Sequence, residues 1–214
     1  MSSTTTTHVE PLANYAPPAD LARVQRWGLA AAVVGGLACV AGAFTAQDQF
    51  FRSYLVAYLF WVAIALGCLG LMMMHHLTHG AWGVVLRRIF EAGASTLPVL
   101  MLLFIPIFVG VPKLYVWAQA TAAADPILRA KAAYLNIGAF TTRTVIYFVI
   151  WSILAVSLSR WSKEQDRTGA AALYNKMRAM SAIGLVLFVL SVSFATFDWL
   201  MSLDPHWFSS IYGL

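Results

Sequence analysis

Five apolar runs, each close to 20 residues long, dominate this chain. They cover residues 27–45, 54–74, 93–111, 137–158 and 180–203. An α-helix needs about 20 apolar residues to cross the hydrocarbon core of a bilayer, and inside that core a helix bonds all of its own backbone polar groups. The runs therefore predict an all-α, polytopic integral membrane bundle of about five transmembrane helices, occupying residues 23–214.

The composition excludes several other classes of protein. Hydrophobic residues make up 60% of the 214 residues and charged residues only 11%, whereas about a quarter of a soluble domain is charged. The net charge of +5 does not indicate nucleic-acid binding, because the basic residues lie at the ends of the apolar runs. Cys39 and Cys68 lie inside apolar runs without metal-ligand spacing, so neither an iron–sulfur nor a zinc site is predicted.

The charge distribution predicts an orientation. Alternate connections carry nine Lys and Arg residues on the side that holds the N-terminus and four on the other side. Cytoplasmic loops are enriched in these residues, so the N-terminus is predicted to be cytoplasmic. Residues 1–22 are polar and contain a Thr run and Pro17-Pro18, which predicts a disordered cytoplasmic tail. A cleaved signal peptide is the alternative for this end of the chain.

Arg143 and Asp198 are ionisable residues inside apolar runs, where charged groups are expensive and often functional. At a rise of about 1.5 Å per residue, Arg143 lies about 9 Å and Asp198 about 7 to 8 Å from the outer ends of their runs. If the two helices are antiparallel neighbours, the side chains should face each other or share a polar cavity. The pair is either a structural ion pair or a proton-transfer or quinol-side cluster.

Residues 75–92 contain histidines and charged residues and are predicted to lie along the membrane interface. The stretch 72–80, with His75, His76 and His79, suggests a haem or metal site, but a haem between two histidines usually takes one from each of two helices. The candidate second ligand, His206, is predicted at the opposite membrane face, so no haem or metal is assigned to this chain. Helix capping, head-group contact or proton relay are the alternatives for these histidines. Glu91 opens the third run, where a negative charge suits a helix N-terminus; a place on a proton-entry path is the alternative.

Proline residues predict breaks in the third apolar run and in the connection that follows it. Pro98 and Pro106 lie within the third run and Pro112 directly after it, which predicts kinks and freed carbonyl groups that neighbours must satisfy. The connection 112–136 is predicted to be partly helical, with a break at Asp125-Pro126. Residues 159–179 form the most charged stretch of the chain.

Four long segments resemble a known family. They are FDWLMSLDPHWFSSIYG at 197–213, MMHHLTHGAWGVVLRRIFEA at 73–92, KAAYLN at 131–136 and WSKEQDRTG at 161–169. Together they resemble the F subunit of alternative complex III, a bacterial quinol:cytochrome c (or electron-carrier) oxidoreductase. Two features depart from the family pattern. His79-Gly80 stands where a Gly-Gly pair is more usual, and family members continue past the closing motif, which suggests a truncated or split form or a fragment of the gene product.

The resemblance implies an NrfD-like subunit of the bacterial inner membrane that packs beside a similar C subunit. It implies that haem c and iron–sulfur clusters belong to other subunits, that this accessory chain has no catalytic residue or redox cofactor, and that quinone binding and proton translocation are its expected contributions. The polar residues that match the family motifs are Asp198, Arg143, Asp204, His206 and the pair His75-His76. A purely structural subunit and a small stand-alone transporter are the alternatives. The lack of an internal repeat and the single Arg–Asp pair argue against the transporter.

Overall fold

A computed structural model describes residues 19–78 and 82–209. It is 89% helical, and no strand occurs in the described ranges. The predicted all-α class is therefore confirmed. The chain divides into two compact units, residues 1–47 and 48–214.

The first unit contains helix α1, Ala19–Thr45. Asp20 lies in its first turn, where a carboxylate interacts favourably with the helix dipole. The helix includes residues 19–22, which were predicted to belong to the disordered tail. Residues 1–18 of that predicted tail lie outside the described residues.

The second unit is built from seven α-helices among its described residues. Their bounds are α2 Gln47–Thr78, α3 Trp82–Ala94, α4 Leu97–Leu103, α5 Ile105–Leu114, α6 Pro126–Lys131, α7 Ile137–Thr168 and α8 Ala171–Trp199. Short 3-10 turns occupy Val116–Ala118, Ala120–Ala124 and Met201–Leu203. The helices extend several residues past most of the apolar runs, because their polar end turns continue the helix beyond the apolar stretch.

Four described helices are long and apolar enough to cross a membrane: residues 20–45, 47–78, 137–168 and 171–203. A fifth candidate span is a bent pair, Val85–Leu103 and Ile105–Leu114, whose axes differ by 55°. Between four and five helices can therefore span a bilayer, as in a multi-pass membrane protein.

The break between α4 and α5 fulfils the expectation drawn from the prolines. Each helix has a proline in its first turn, and a proline cannot donate the backbone hydrogen bond that would continue the preceding helix. The Tyr58 hydroxyl donates to the Leu100 carbonyl at 2.9 Å, and the Tyr54 hydroxyl donates to the Leu103 carbonyl at 2.6 Å. Two tyrosines of α2 thus satisfy carbonyl groups next to the break.

Within the predicted interfacial segment 75–92, residues 75–78 complete α2 and residues from Trp82 onward belong to α3. The bent candidate span begins at Val85, eight residues before the predicted third span, 93–111. The position of the segment along the interface stays a prediction. His79 lies outside the described residues.

Helices α7 and α8 form an antiparallel hairpin. Gly169 ends α7 with a φ of 66°, a left-handed conformation that favours glycine. At Gly184 of α8 the helices pack so closely that an added Cβ would collide with Leu154 of α7 and press on Met73 of α2. This packing aligns the polar residues of α7 with those of α8.

Candidate functional site

Arg143 and Asp198 meet in a two-pronged ion pair. Arg143 Nε donates to Asp198 Oδ2 at 2.9 Å, and Arg143 Nη2 donates to Asp198 Oδ1 at 2.8 Å. The Asp198 side chain is completely buried, whereas that of Arg143 is 20% exposed. The Tyr147 hydroxyl also donates to Asp198 Oδ2, at 2.8 Å. The predicted approach of Arg143 to Asp198 is thus confirmed, and each carboxylate oxygen accepts at least one hydrogen bond.

Aromatic side chains enclose this pair. The Tyr134 ring lies over the Arg143 guanidinium, 3.8 Å from its carbon atom, a geometry in which a cation is attracted to the ring face. Trp199 follows Asp198 in the chain; its Nε1 donates to Thr144 Oγ1 at 3.1 Å, and its carbonyl accepts from the Tyr115 hydroxyl at 2.9 Å. These bonds fix the last turn of α8, and with it the position of the carboxylate.

A cavity of about 230 Å³ lies beside the ion pair. Its lining is mostly apolar and aromatic, with a few polar groups: Lys131, Tyr134, Leu135, Phe197, Met201, Ser202, Pro205 and Trp207. Tyr134 belongs both to this lining and to the wall of the ion pair. Burial, helped by the Asp198 carboxylate, raises the pKa of the Tyr134 hydroxyl to about 12, so the hydroxyl keeps its proton at neutral pH.

The closing segment forms a separate polar group at the rim of the cavity. His206 Nε2 lies 2.7 Å from Asp125 Oδ2, and Lys131 Nζ donates to the Pro205 carbonyl at 2.6 Å. Asp204 is exposed and accepts from the His206 backbone N–H at 3.3 Å. The backbone N–H of Ile127 and the His206 side chain lower the pKa of Asp125. Asp204 and His206 therefore lie at the surface of the site, whereas Asp198 lies inside it.

Glu91 is the centre of a second buried cluster, at the other end of α7. Only 4% of Glu91 is exposed. It accepts from Arg87 Nε at 3.1 Å and also from Arg88 and the Ser162 hydroxyl. Both arginines lie close to Asp166 as well. The prediction that Glu91 opens a helix is wrong: it lies one turn before the end of α3, and its contact with Ser162 joins α3 to α7.

His76 joins α2 to α8 near this second cluster. It is 5% exposed, and its Nδ1 lies 3.2 Å from the Ser181 hydroxyl. The His75 ring lies beside it, with centroids 5.9 Å apart. His75 and His76 are thus in the last turn of a long helix, and their contacts fit a helix-joining role as well as a proton-relay role.

An apolar layer separates the two polar ends of the unit. Ser191 accepts from Trp151 Nε1 at 2.8 Å and Ser181 contacts His76. Ten residues of α8 separate these serines, which corresponds to about 15 Å. At this level most of the described buried side chains are apolar, among them Leu69, Met73, Leu154, Ala155 and Leu158. The hydroxyl groups of Ser152 and Ser159 on α7 are also buried. The charged groups of the described residues therefore form two clusters, and serine hydroxyls of α7 lie between them.

The described residues contain no group of three or more His, Cys, Asp and Glu side chains that could hold a metal ion. The expectation that this chain carries no redox cofactor stays a prediction. Neither the protein-family models nor the curated proteins provide a match to this chain. The likeness to the F subunit accordingly rests on the four sequence segments alone.

Sequence reasoning missed several members of both clusters. Tyr147 lies four residues after Arg143, on the same face of α7, and this spacing could have revealed it. Tyr134 lies in a connection without a regular helical or strand hydropathy repeat, so no sequence pattern indicated that its ring lies over Arg143. Ser162 and Ser181 give no distinguishing signal, since serine is common at the ends of membrane helices.

Proposed function

We propose that this chain is a membrane subunit of a bacterial respiratory quinol:cytochrome c oxidoreductase complex of the alternative complex III type. It would lie in the inner membrane with its N-terminus in the cytoplasm, beside an NrfD-like C subunit. Its contribution would be part of the quinone-side environment at the outer face. Quinol oxidation releases two electrons and two protons; the electrons would pass to haem c and iron–sulfur centres in other subunits, and the protons would leave toward the outer face.

The observation that carries this proposal is the cavity, one of whose lining residues, Tyr134, also covers the buried ion pair. Sites for drug-sized ligands usually enclose about 300–1,000 Å³, so about 230 Å³ suits a single ring whose tail remains in lipid. The lining also fits a quinone head, because the ring is apolar and its oxygens need only a few polar partners. Lys131, Tyr134 and Ser202 supply such partners.

The apolar layer limits the proton-translocation part of this proposal. Across the described residues, about 15 Å of α8 between Ser181 and Ser191 brings no buried polar side chain into the core. We therefore propose that the Asp198 end exchanges protons with the outer face, and that the Glu91 end exchanges them with the cytoplasm. A complete route across the membrane would need groups from a partner subunit.

A purely structural role is the second candidate, and one observation favours it. Asp198 accepts two bonds from Arg143 and one from Tyr147, so its charge is well compensated without any ligand. Such a pair would lock α7 to α8 and keep the closing segment in register for a neighbouring subunit. Under this role the cavity would hold a lipid chain or a partner's side chain.

Two experiments test the proposal in order. The first is purification of the tagged chain from its native membranes in mild detergent, followed by mass spectrometry. We expect a multihaem cytochrome c, a large iron–sulfur protein and an NrfD-like protein to co-purify; their absence, with the chain intact, would contradict the assignment to this complex.

The second experiment compares Asp198→Asn with Glu164→Gln, a matched loss of one charge in the exposed hairpin. A quinone-side role predicts reduced quinol turnover per assembled Asp198→Asn complex, even where the lost ion pair lowers the yield of that complex, and no change for Glu164→Gln. Normal turnover in every Asp198→Asn complex that assembles would favour the structural role instead.

A further inference from the structure

A groove of about 540 Å³ lies on the first turns of helix α1. Intervals of three and four residues relate the positions that line it, which places them on one helix face. The lining residues are Ala22, Arg23, Arg26, Trp27 and Ala30. Because the alanine side chains are short and the other three are long, the alanines form the floor of the groove and the others form its walls.

The α1 groove carries a net positive charge. Asp20 is the one carboxylate of α1, against Arg23 and Arg26. Arg23 Nη1 lies 3.8 Å from Asp20 Oδ1, and both side chains are more than three-quarters exposed. Exposed pairs of this kind contribute little, so a stronger anion can replace the carboxylate. The planar guanidinium group of arginine matches two oxygens of a phosphate.

The two arginines lie at the depth of lipid phosphate groups. α1 is a candidate membrane span, and its apolar run begins at Trp27. At a rise of about 1.5 Å per residue, Arg26 lies about 2 Å and Arg23 about 6 Å outside this run. The headgroup layer occupies about 5 to 8 Å on each side of the hydrocarbon core. Tryptophan also favours the boundary between these layers.

The two faces of α1 differ below the groove. Leu37 and Phe44 continue the face of the groove at intervals of seven residues, and they are 66% and 81% exposed. Gly28, Gly35 and Gly42 recur at the same interval on the opposite face. Small residues let a neighbouring membrane helix approach closely. The glycine face therefore suits a helix, and the groove face suits lipid.

We propose that the α1 groove binds the phosphate of an anionic phospholipid in the leaflet that meets the first turns of α1. Arg23 and Arg26 donate N–H groups to the phosphate oxygens, and the acyl chains follow the groove face toward Phe44. A zwitterionic lipid adds a cation that the two arginines repel, so the groove prefers a lipid with net negative charge. This inference goes beyond the proposed function and is independent of it, because no residue of the quinone-side cavity takes part.

The test is native mass spectrometry of the purified full chain, titrated in detergent with dioleoylphosphatidylglycerol and separately with dioleoylphosphatidylcholine. The double variant Arg23→Gln, Arg26→Gln should weaken the first phosphatidylglycerol binding step about 10- to 30-fold, the effect of two basic side chains near an anionic lipid. Phosphatidylcholine binding should weaken less than about fivefold.

A matched control and a variant of unchanged charge separate a site from general attraction. Arg160→Gln, Lys163→Gln removes two exposed charges just past the apolar run of α7 and should weaken phosphatidylglycerol binding less than about threefold. Ala30→Leu keeps both arginines but fills the floor of the groove. It should weaken phosphatidylglycerol binding about fivefold, as if one arginine contact were lost.

Three results would overturn the proposal. Equal losses in the two double variants would show that the lipid responds to positive charge anywhere on the chain. Unchanged binding by Ala30→Leu would show that the lipid does not occupy the groove. Displacement of phosphatidylglycerol by inorganic phosphate, beyond the effect of sodium chloride at equal ionic strength, would assign the groove to a soluble phosphate instead of a lipid.

Discussion

Breaking the Arg143–Asp198 pair from one side should destabilise the second unit strongly. In Asp198→Asn the amide oxygen can still accept a hydrogen bond from Arg143. The NH₂ group, however, replaces the other carboxylate oxygen and faces guanidinium N–H groups, which cannot accept a hydrogen bond. Removing one partner of a buried pair costs about 3–5 kcal/mol, because a charge is left uncompensated. Arg143 is 20% exposed and can partly recover hydration, so we expect about 3 kcal/mol.

Replacing both partners should cost less than replacing one. The double variant Arg143→Met, Asp198→Leu removes both charges, and well-packed apolar residues in place of a buried ion pair are often neutral or stabilising. It leaves the Tyr147 hydroxyl without its acceptor, a loss of about 1 kcal/mol. Arg143→Met alone strands a fully buried carboxylate, and it should cost about 3–5 kcal/mol.

The measurement is the free energy of unfolding of the purified chain in detergent, followed by tryptophan fluorescence across a denaturant series. Wild type, Arg143→Met, Asp198→Leu and the double variant form a double-mutant cycle. A loss below about 1 kcal/mol for Asp198→Asn, or a double variant whose loss equals the sum of the two single losses, would refute the reasoning that the pair is buried and mutually dependent.

Other parts of the molecule provide further predictions. Glu91→Gln should destabilise the chain by about 1–3 kcal/mol, since buried donors lose a charged acceptor, whereas Glu164→Gln at an exposed i,i+3 pair should change stability by less than about 0.5 kcal/mol. Gly184→Ala should cost about 1–3 kcal/mol through overpacking of α8. The Asp125 carboxyl, whose pKa is lowered from 3.8, should contribute stability above pH 3.8 that is lost as the pH falls through its lower folded value; His206→Ala should raise that folded pKa.

Each of these predictions has a result that contradicts it. Equal losses for the Glu91 and Glu164 variants in denaturant unfolding would show that the buried cluster contributes no more than an exposed pair. An unchanged or higher stability of Gly184→Ala would mean that α8 does not approach its neighbours as closely as described. For the surface pair, nuclear magnetic resonance titration of the Asp125 carboxyl carbon reports the pKa directly, and an identical value in wild type and His206→Ala would exclude an effect of His206.

The features that could be predicted from the sequence are those that depend on the length of the apolar runs and on local helix geometry. Apolar run length predicted the candidate spans. The helix rise per residue is fixed by helix geometry. Together with the condition that the two helices are antiparallel neighbours, it predicted that Arg143 and Asp198 would lie at the same depth. Prolines 98 and 106 predicted a disrupted third span with freed carbonyls, since the chemistry of the missing N–H does not depend on the rest of the fold.

The features that did not follow depend on where helices end and on which helices are neighbours. Glu91 was placed at a helix start because the apolar run begins after it, but the polar turn that contains it continues the helix. Its partner Ser162 lies 71 residues away, and nothing local relates the two positions. Apolarity therefore locates the lipid-facing part of each helix well and its ends poorly.

Tyr134 shows why the site itself was only half predictable. The charged members of the site stand out because burying them is costly, so Arg143 and Asp198 are visible in the sequence. A tyrosine in a connection costs little wherever it lies, and its sequence position does not reveal that it covers a buried cation. The fold supplies that information, because the connection after α6 leads directly into α7 and brings Tyr134 onto the guanidinium nine residues further along the chain. Charge and hydropathy therefore identify the buried ion pair of this site, whereas the aromatic residue that covers its cation becomes visible only in the folded structure.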